Sequence, residues 1–266
     1  MIDIHSHILP GVDDGAKNLD ESLKIARQSE KQGIKGLVVT PHCMDSGYYM
    51  TPSTTIKRIL SLQQCLYREG INIRLYPGAE VFITIDLADK VQKKQVLTLN
   101  HGSYILIELP TVKIPKYTES VLYKLKTAGY NPIISHPERY KDIAAEPDIL
   151  YYWFKNGIYA QVNASSLLGK FGKKVKKTAE LFVKNNLVQL IGSDVHSISS
   201  RNQCLQEGLK RVERLSAGSA EIMIENNSLL IKDKQLNTKL KPQKETPGIF
   251  TKIKNYAGTG VNYLKF

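Results

Sequence analysis

Seven short runs of apolar, often β-branched residues recur along this chain, and stretches of helical periodicity lie between them. The runs cover residues 2–4, 36–40, 71–79, 103–108, 131–135, 158–163 and 187–193. Near-continuous apolarity means that both faces of each strand must be covered, as in a parallel sheet wrapped by helices. The intervening helices are predicted over residues 18–33, 53–70, 85–91, 117–129, 148–157, 175–185 and 202–226, the last broken near Ala217-Gly218. In the first of them, Leu19, Leu23, Ile25 and Ala26 form an apolar face, and Gly33 suits the stop. Strands alternating with helices at this spacing imply parallel βα units. The expected class is α/β, with the seven strands in a closed or nearly closed barrel. A doubly wound open sheet is the runner-up. No G-x-G-x-x-G or G-K-[ST] loop follows any strand, which weakens its nucleotide-binding version.

With 266 residues the chain can bury such a core as one domain. No stretch reaches the roughly 18 apolar residues of a membrane span, and Asp3 and His5 interrupt the N-terminal apolar run, so no signal peptide is expected. The cysteines Cys43, Cys65 and Cys204 are odd in number and far apart, which fits reduced thiols in a cytoplasm. None lies in a C-x-x-C pair that could bind zinc. Much of the net charge of +12 sits at the end, where eight lysines after Leu229 face only Asp233 and Glu245. Residues 1–236 are therefore expected to form the domain, and residues 237–266 a basic flexible tail with a Pro/Gly linker near Pro242 and Gly248. Such a tail could contact an acidic partner or a membrane surface. A stable nucleic-acid partner is not expected.

The chemistry lies in what ends the strands. His5 and His7 follow the first, His42 the second, Glu80 the third, Glu108 the fourth, His136 the fifth, and Asp194 with His196 the seventh. Parallel strands bring their C-terminal ends to one face, so five of the six histidines would converge there, leaving out His101. A lone histidine after a strand is ordinarily structural, but structural histidines have no reason to recur at strand ends. Imidazole with carboxylate and no thiolate suits manganese, iron or zinc, and argues against a structural zinc cage. The ligands exceed what one ion can use. Clusters of two or three ions polarise phosphoryl oxygens and activate water. Arg139, three residues past His136, and Arg201, five past His196, offer planar guanidinium groups that bind phosphate bidentately. Cysteine-based phosphatase chemistry is excluded, because the positions six residues after the cysteines hold Tyr49, Ile71 and Lys210 rather than arginine.

The segments His5-Ser-His7, Pro10-Gly-Val-Asp-Asp-Gly15, Thr40-Pro-His42, Gly78-Ala-Glu80, Ile107-Glu108, His136-Pro-Glu-Arg-Tyr140 and Gly192-Ser-Asp-Val-His196 together resemble the PHP (polymerase and histidinol phosphatase) superfamily. Within it they are similar to the bacterial manganese-dependent protein-tyrosine phosphatases of capsule and exopolysaccharide operons, the CpsB/CapC-like branch. The resemblance runs from residue 1 to about residue 232. It implies a distorted seven-stranded (β/α)7 TIM-like barrel and three divalent ions, manganese first, with iron or zinc as alternatives. The first ion would take His5, His7, Glu80 and Asp194. The second would share Glu80 and add Glu108 and His136, and the third would take Asp14, His42 and His196. Arg139 and Arg201 match the family's phosphate-binding arginines, and Asp194 and His42 are the candidates for general acid. The implied substrate is phosphotyrosine on the tyrosine-rich tail of a membrane-linked bacterial kinase that controls polysaccharide synthesis. A histidinol-phosphatase-like phosphoesterase, a polymerase-type nuclease and a non-catalytic module using the basic tail are the rivals.

Overall fold

The structure, a computed structural model, describes residues 1–44, 47–239 and 241–243. Its strands are β1 Ile2–Ser6, β2 Gly36–Val39, β3 His42–Cys43, β4 Arg74–Pro77, β5 Glu80–Phe82, β6 Tyr104–Glu108, β7 Asn131–Ser135, β8 Tyr159–Asn163 and β9 Leu190–Gly192. The helices that follow or cover them are α1 Leu19–Lys31, α2 Pro52–Arg68, α3 Leu87–Gln92, α4 Thr118–Thr127, α5 Lys141–Ala145, α6 Asp148–Lys155, α7 Ala164–Leu167, α8 Lys173–Lys184, α9 Leu205–Leu215 and α10 Ser219–Ile231. The longer helices start where the sequence supplies caps. Asn18 accepts from Glu21 N–H at 3.0 Å ahead of α1, and Thr51 with Pro52 opens α2.

All strand pairs are parallel, in a three-stranded sheet ordered β1-β2-β4 and a six-stranded curled sheet ordered β3-β5-β6-β7-β8-β9. The expected strands at 36–40 and 71–79 appear as β2 and β4, and each is followed after a break by a further short strand, so the hydrogen bonds define two sheets rather than one closed ring. The first breaks at Pro41, which has no N–H for the ladder. The second breaks at Gly78, where a Cβ would lie 2.9 Å from Leu99 and 3.0 Å from Val38. Past both breaks the chains resume as β3 and β5, with His42 opposite Glu80. On the other side, β1 meets the segment after β9 through a Ser6–Val195 bridge, and Asp194 N–H donates to His5 O at 3.0 Å.

Period-two geometry sorts the core. Ile105, Ile107, Ile134, Val162 and Ile191 join the cluster packed by the helices. Ile4, Val38, Leu106, Ile133 and Leu190 form a second cluster with Leu230 and Leu236. β1 shifts register between Asp3 and Ser6, and a bulge of this kind lets consecutive residues share one side. Ile4 therefore packs with Val38, while the next residue, His5, reaches Gln161 and Glu80.

Hydrogen bonds continue past the expected boundary at 236. Asn237 N–H donates to Asn226 at 2.7 Å and Gln243 N–H to Asn185 O at 2.9 Å, so the chain stays fastened past that point. The rest of the expected tail, residues 244–266, lies outside the described residues. Among the described residues no helix is long and apolar enough to cross a membrane.

Candidate metal centre

Every strand-end residue singled out above lies in one cluster at the C-terminal ends of the strands. His5 Nε2 and His7 Nε2 face each other at 3.2 Å. Glu80 Oε2 stands 3.2 Å from the first and 3.4 Å from the second, and Asp194 Oδ1 stands 3.4 and 3.5 Å from them. Four ligands about 2.1 Å from a tetrahedral ion are separated by about 3.4 Å. These edges have that length. Among the described residues, Glu80 Oε2 and Asp194 Oδ1 are buried without a hydrogen-bond partner, a lack that a bound cation would make good.

Two further ligand groups adjoin the first. His42 Nδ1 lies 3.4 Å from Glu80 Oε2 and 3.5 Å from Glu108 Oε2, while its Nε2 lies 3.3 Å from Asp14 Oδ1. His196 Nε2 is 3.1 Å from that same Asp14 oxygen. Among the described residues, His42 Nδ1, Glu108 Oε2 and His196 Nε2 are again buried without a hydrogen-bond partner. His136 Nε2 sits 2.8 Å from Glu80 Oε1 and 3.8 Å from Glu108 Oε1. His136 is thus the nearer to Glu80 and His42 the nearer to Glu108; His42, Glu80 and Glu108 form one group of potential ligand atoms, and His7 also belongs with Asp14, His42 and His196. His101, the histidine expected to stand apart, lies in the 3₁₀ turn Leu99–His101 before β6.

The electrostatics match a cation site. Burial and the adjacent Glu80 push Glu108 up to about 7, and a divalent ion between the two carboxylates would remove that repulsion. Burial with the Arg139 charge takes His136 down to about 4, and burial with His7 does the same to His196. Both imidazoles are thus held toward the neutral form, the one in which a ring nitrogen can bind a metal. Burial alone would raise Asp194, but His5, Arg201 and His196 hold it well below the usual carboxylate range. A carboxyl held toward its ionised form in this way suits a cation's ligand better than a proton donor.

Arg139 and Arg201 share one oxygen. Asp194 Oδ2 accepts from Arg139 at 3.3 Å, from Arg201 at 2.8 Å and from Asn163 Nδ2 at 2.7 Å. Arg201 also donates to Asp14 Oδ2 at 3.2 Å. The Phe171 ring lies under both guanidinium carbons, at 4.8 and 6.0 Å. Side-chain exposure rises from 0 % at His5, Glu80 and Asp194 to 22 % at Arg139, 25 % at Arg201 and 47 % at Asp14, so the arginines mark the open mouth.

Several residues that build the site were not singled out from sequence. Asp13 takes His7 Nδ1 at 2.9 Å and the backbone N–H of His42 at 3.1 Å, and His7, outweighing burial, lowers its carboxyl to about 2. A carboxylate on the far nitrogen orients a ligating imidazole. Its signal was present in the Asp13-Asp14 pair. Gly15 is required behind it, because a Cβ there would lie 2.2 Å from His7 O. Gln161 and Asn163 lie on β8, the strand that ends in no metal-capable residue. In the segment His136–Tyr140, Glu138 accepts Asn163 N–H at 3.0 Å, and Tyr140 Oη accepts Leu109 N–H at 3.0 Å. His136 and Asp194 adopt left-handed backbone at φ 31° and 55°, strain of the kind that collects at functional sites.

Residues 1–232 match the family described as capsular polysaccharide synthesis, CpsB/CapC. The chain is 36% identical over 243 residues to tyrosine-protein phosphatase YwqE of Bacillus subtilis, covering 91% of this chain and 96% of that one. It is 32% identical over 241 residues to tyrosine-protein phosphatase CpsB of Streptococcus agalactiae, covering 88% and 99%. A solved structure from work on YwqE of Bacillus subtilis and CpsB of Streptococcus pneumoniae, described as unique metal-dependent tyrosine phosphatases, superposes with a TM-score of 0.89 at 35% identity. It covers 92% of this chain and 100% of its own. A variant organophosphorus hydrolase from Deinococcus radiodurans shares the fold alone, with a TM-score of 0.52 at 13% identity over 86% of this chain and 92% of its own.

Proposed function

Because this chain belongs to the CpsB/CapC family of capsular polysaccharide synthesis, we propose that its strand-end cluster removes phosphate from phosphotyrosine in proteins. It is a metal-dependent tyrosine-protein phosphatase, a phosphoric monoester hydrolase. The observation that carries this assignment to particular residues is the convergence of His, Asp and Glu ligand atoms with two arginines on Asp194. The proposed cofactors are three divalent ions, manganese foremost and iron or zinc as alternatives. The proposed ligands are His5, His7, Glu80 and Asp194 for the first, Glu80, Glu108 and His136 for the second, and Asp14, His42 and His196 for the third. When bound, such ions supply Lewis-acid charge to a phosphoryl group and activate water near neutral pH.

The chain's own residues do the rest. Arg139 and Arg201 take the phosphoryl oxygens at the mouth, where charge accumulates in the transition state and preorganised cations help most. Phe171 holds their planes. The leaving phenol has an ordinary pKa of about 10, so its oxygen departs with less need of a proton than an alkoxide. His42 turns both nitrogens to carboxylates, which suits a ligand better than a general acid.

The proposed partner is a membrane-linked bacterial tyrosine kinase with a tyrosine-rich tail, and the family's link to capsule synthesis supports it. A cytoplasmic site of action is supported by the buried, unpaired Cys43 and Cys204. We also read the two sheets as the wall of one distorted seven-stranded barrel. Chain continuity from β2 to β3 and from β4 to β5, with the Ser6–Val195 bridge, supports this. Residues 1–236 are proposed as the phosphatase domain and residues 237–266 as a basic tail to it, which the end of the family match at 232 supports.

The test is turnover of a phosphotyrosine peptide against histidinol phosphate in the presence of manganese. The peptide is expected to give the higher kcat/KM; the reverse order would favour a small-molecule phosphoesterase. A second expectation concerns Asp14, the most exposed ligand. Asp14→Ala should lower kcat/KM about 10²-fold and remove one metal equivalent while leaving the His5–His7 ion bound. Loss of every ion in that variant would refute the division into clusters.

A further inference from the structure

We propose that Gln161 and Asn163 are positioning residues that preassemble the first metal cluster, Gln161 by fixing the tautomer of His5 and Asn163 by fixing which oxygen of Asp194 faces it. This rests on the reading of His5, His7, Glu80 and Asp194 as metal ligands. Both residues are fully buried on β8, in the midst of strands that end in ligands.

The hydrogen bonds form a one-way chain. Gln161 Nε2 donates to Val162 O at 2.7 Å and to Asn163 Oδ1 at 2.8 Å, so its amide can stand only one way round. That leaves Gln161 Oε1 as an acceptor 2.8 Å from His5 Nδ1. His5 then donates from Nδ1, which leaves Nε2, grouped with the Glu80 and Asp194 oxygens, as the nitrogen whose lone pair would meet a metal bound among them. Because Asn163 Oδ1 is occupied by Gln161, Asn163 must offer Nδ2 to Asp194 Oδ2, at 2.7 Å. The other oxygen, Oδ1, is thereby turned to the two histidines. Glu138 anchors Asn163 through its backbone N–H. The neighbouring strand leaves room: a Cβ on Gly192 would lie 2.7 Å from the His5 Cβ and 3.1 Å from Gln161 Nε2.

The pair has a second consequence. Arg139 and Arg201 hold the same Asp194 oxygen in the structure, and a phosphoryl group bound at the mouth would compete with it for their donors. Asn163 is the donor that stays, so Asp194 keeps its orientation during turnover.

The near-isosteric variants Gln161→Met and Asn163→Leu of the full chain test this, and either alone decides. Each is stripped with chelator and titrated with Mn2+ against a competing chelator, and Tm is read with and without saturating manganese. We expect one manganese equivalent to bind about 10–100-fold more weakly, the others to keep their affinity, and the manganese-induced rise in Tm to shrink while the metal-free Tm changes little. Unchanged manganese affinity, or a fall in Tm of equal size with and without metal, would overturn the positioning role and leave both residues as core packing. A wild-type chain that binds no manganese would instead overturn the metal reading, and this proposal with it.

Discussion

Glu80→Ala is expected to lower kcat/KM for a phosphotyrosine peptide by about 10³-fold or more, and to release more metal than any other single ligand change. The reason is its position between groups. Glu80 Oε2 stands within 3.5 Å of nitrogens on His5, His7 and His42, and Oε1 pairs with His136 at 2.8 Å. Its side chain is fully buried, and His5 and His136 hold its carboxyl well below the usual range against the cost of burial. Removing the carboxylate takes a shared ligand from two clusters at once and leaves imidazoles facing a cavity. Elemental analysis of the purified variant beside its kinetics checks this. A full metal complement with activity within tenfold of wild type would show that Glu80 holds no ion, and the cluster would need another explanation.

The second large effect separates phosphate binding from metal binding. Arg201→Ala and Arg139→Ala should each lower kcat/KM by about 10²–10³-fold with the bound manganese unchanged. Arg201 uses two different nitrogens, one on Asp14 Oδ2 and one on Asp194 Oδ2, so the fork spans both carboxylates at the mouth. A lysine keeps the charge but not the fork, and Arg201→Lys should recover only part of the loss. Inhibition by inorganic phosphate should weaken in parallel. If the arginine variants lose metal in proportion to activity, the arginines are structural partners of Asp194, and phosphate recognition lies elsewhere.

Much of this site is legible before any fold is known. His5, His7, His42, Glu80, Glu108, His136, Asp194 and His196 all follow apolar runs, and parallel strands carry such positions to one face whatever the details of packing. The helices between them are legible for the same reason, since an amphipathic face and its caps are local properties. The interruptions at Pro41 and Gly78 were less so. Past each, a short strand, β3 or β5, forms beyond the expected run, and its pairing depends on what the neighbouring strand does at the same level. The short helices α5 and α7 also escaped notice, because five residues or fewer carry no periodicity to read.

What the sequence by itself determined is therefore the inventory: parallel βα units, ligand-type residues at strand ends, two arginines beside them, and no thiolate among them. The tertiary structure decided how that inventory is shared. It turned His42 so that both nitrogens meet carboxylates, set Glu80 among four histidines, and joined Gln161 and Asn163 of β8 to His5 and Asp194. Periodicity assigns a residue to a side of a strand, but not to an atom. Which nitrogen or oxygen faces the centre depends on hydrogen bonds such as His5 to Gln161 and Asn163 to Asp194, made across 156 and 31 positions of chain. Only the folded backbone, with its bulge in β1 and its left-handed turn at Asp194, brings those partners within reach.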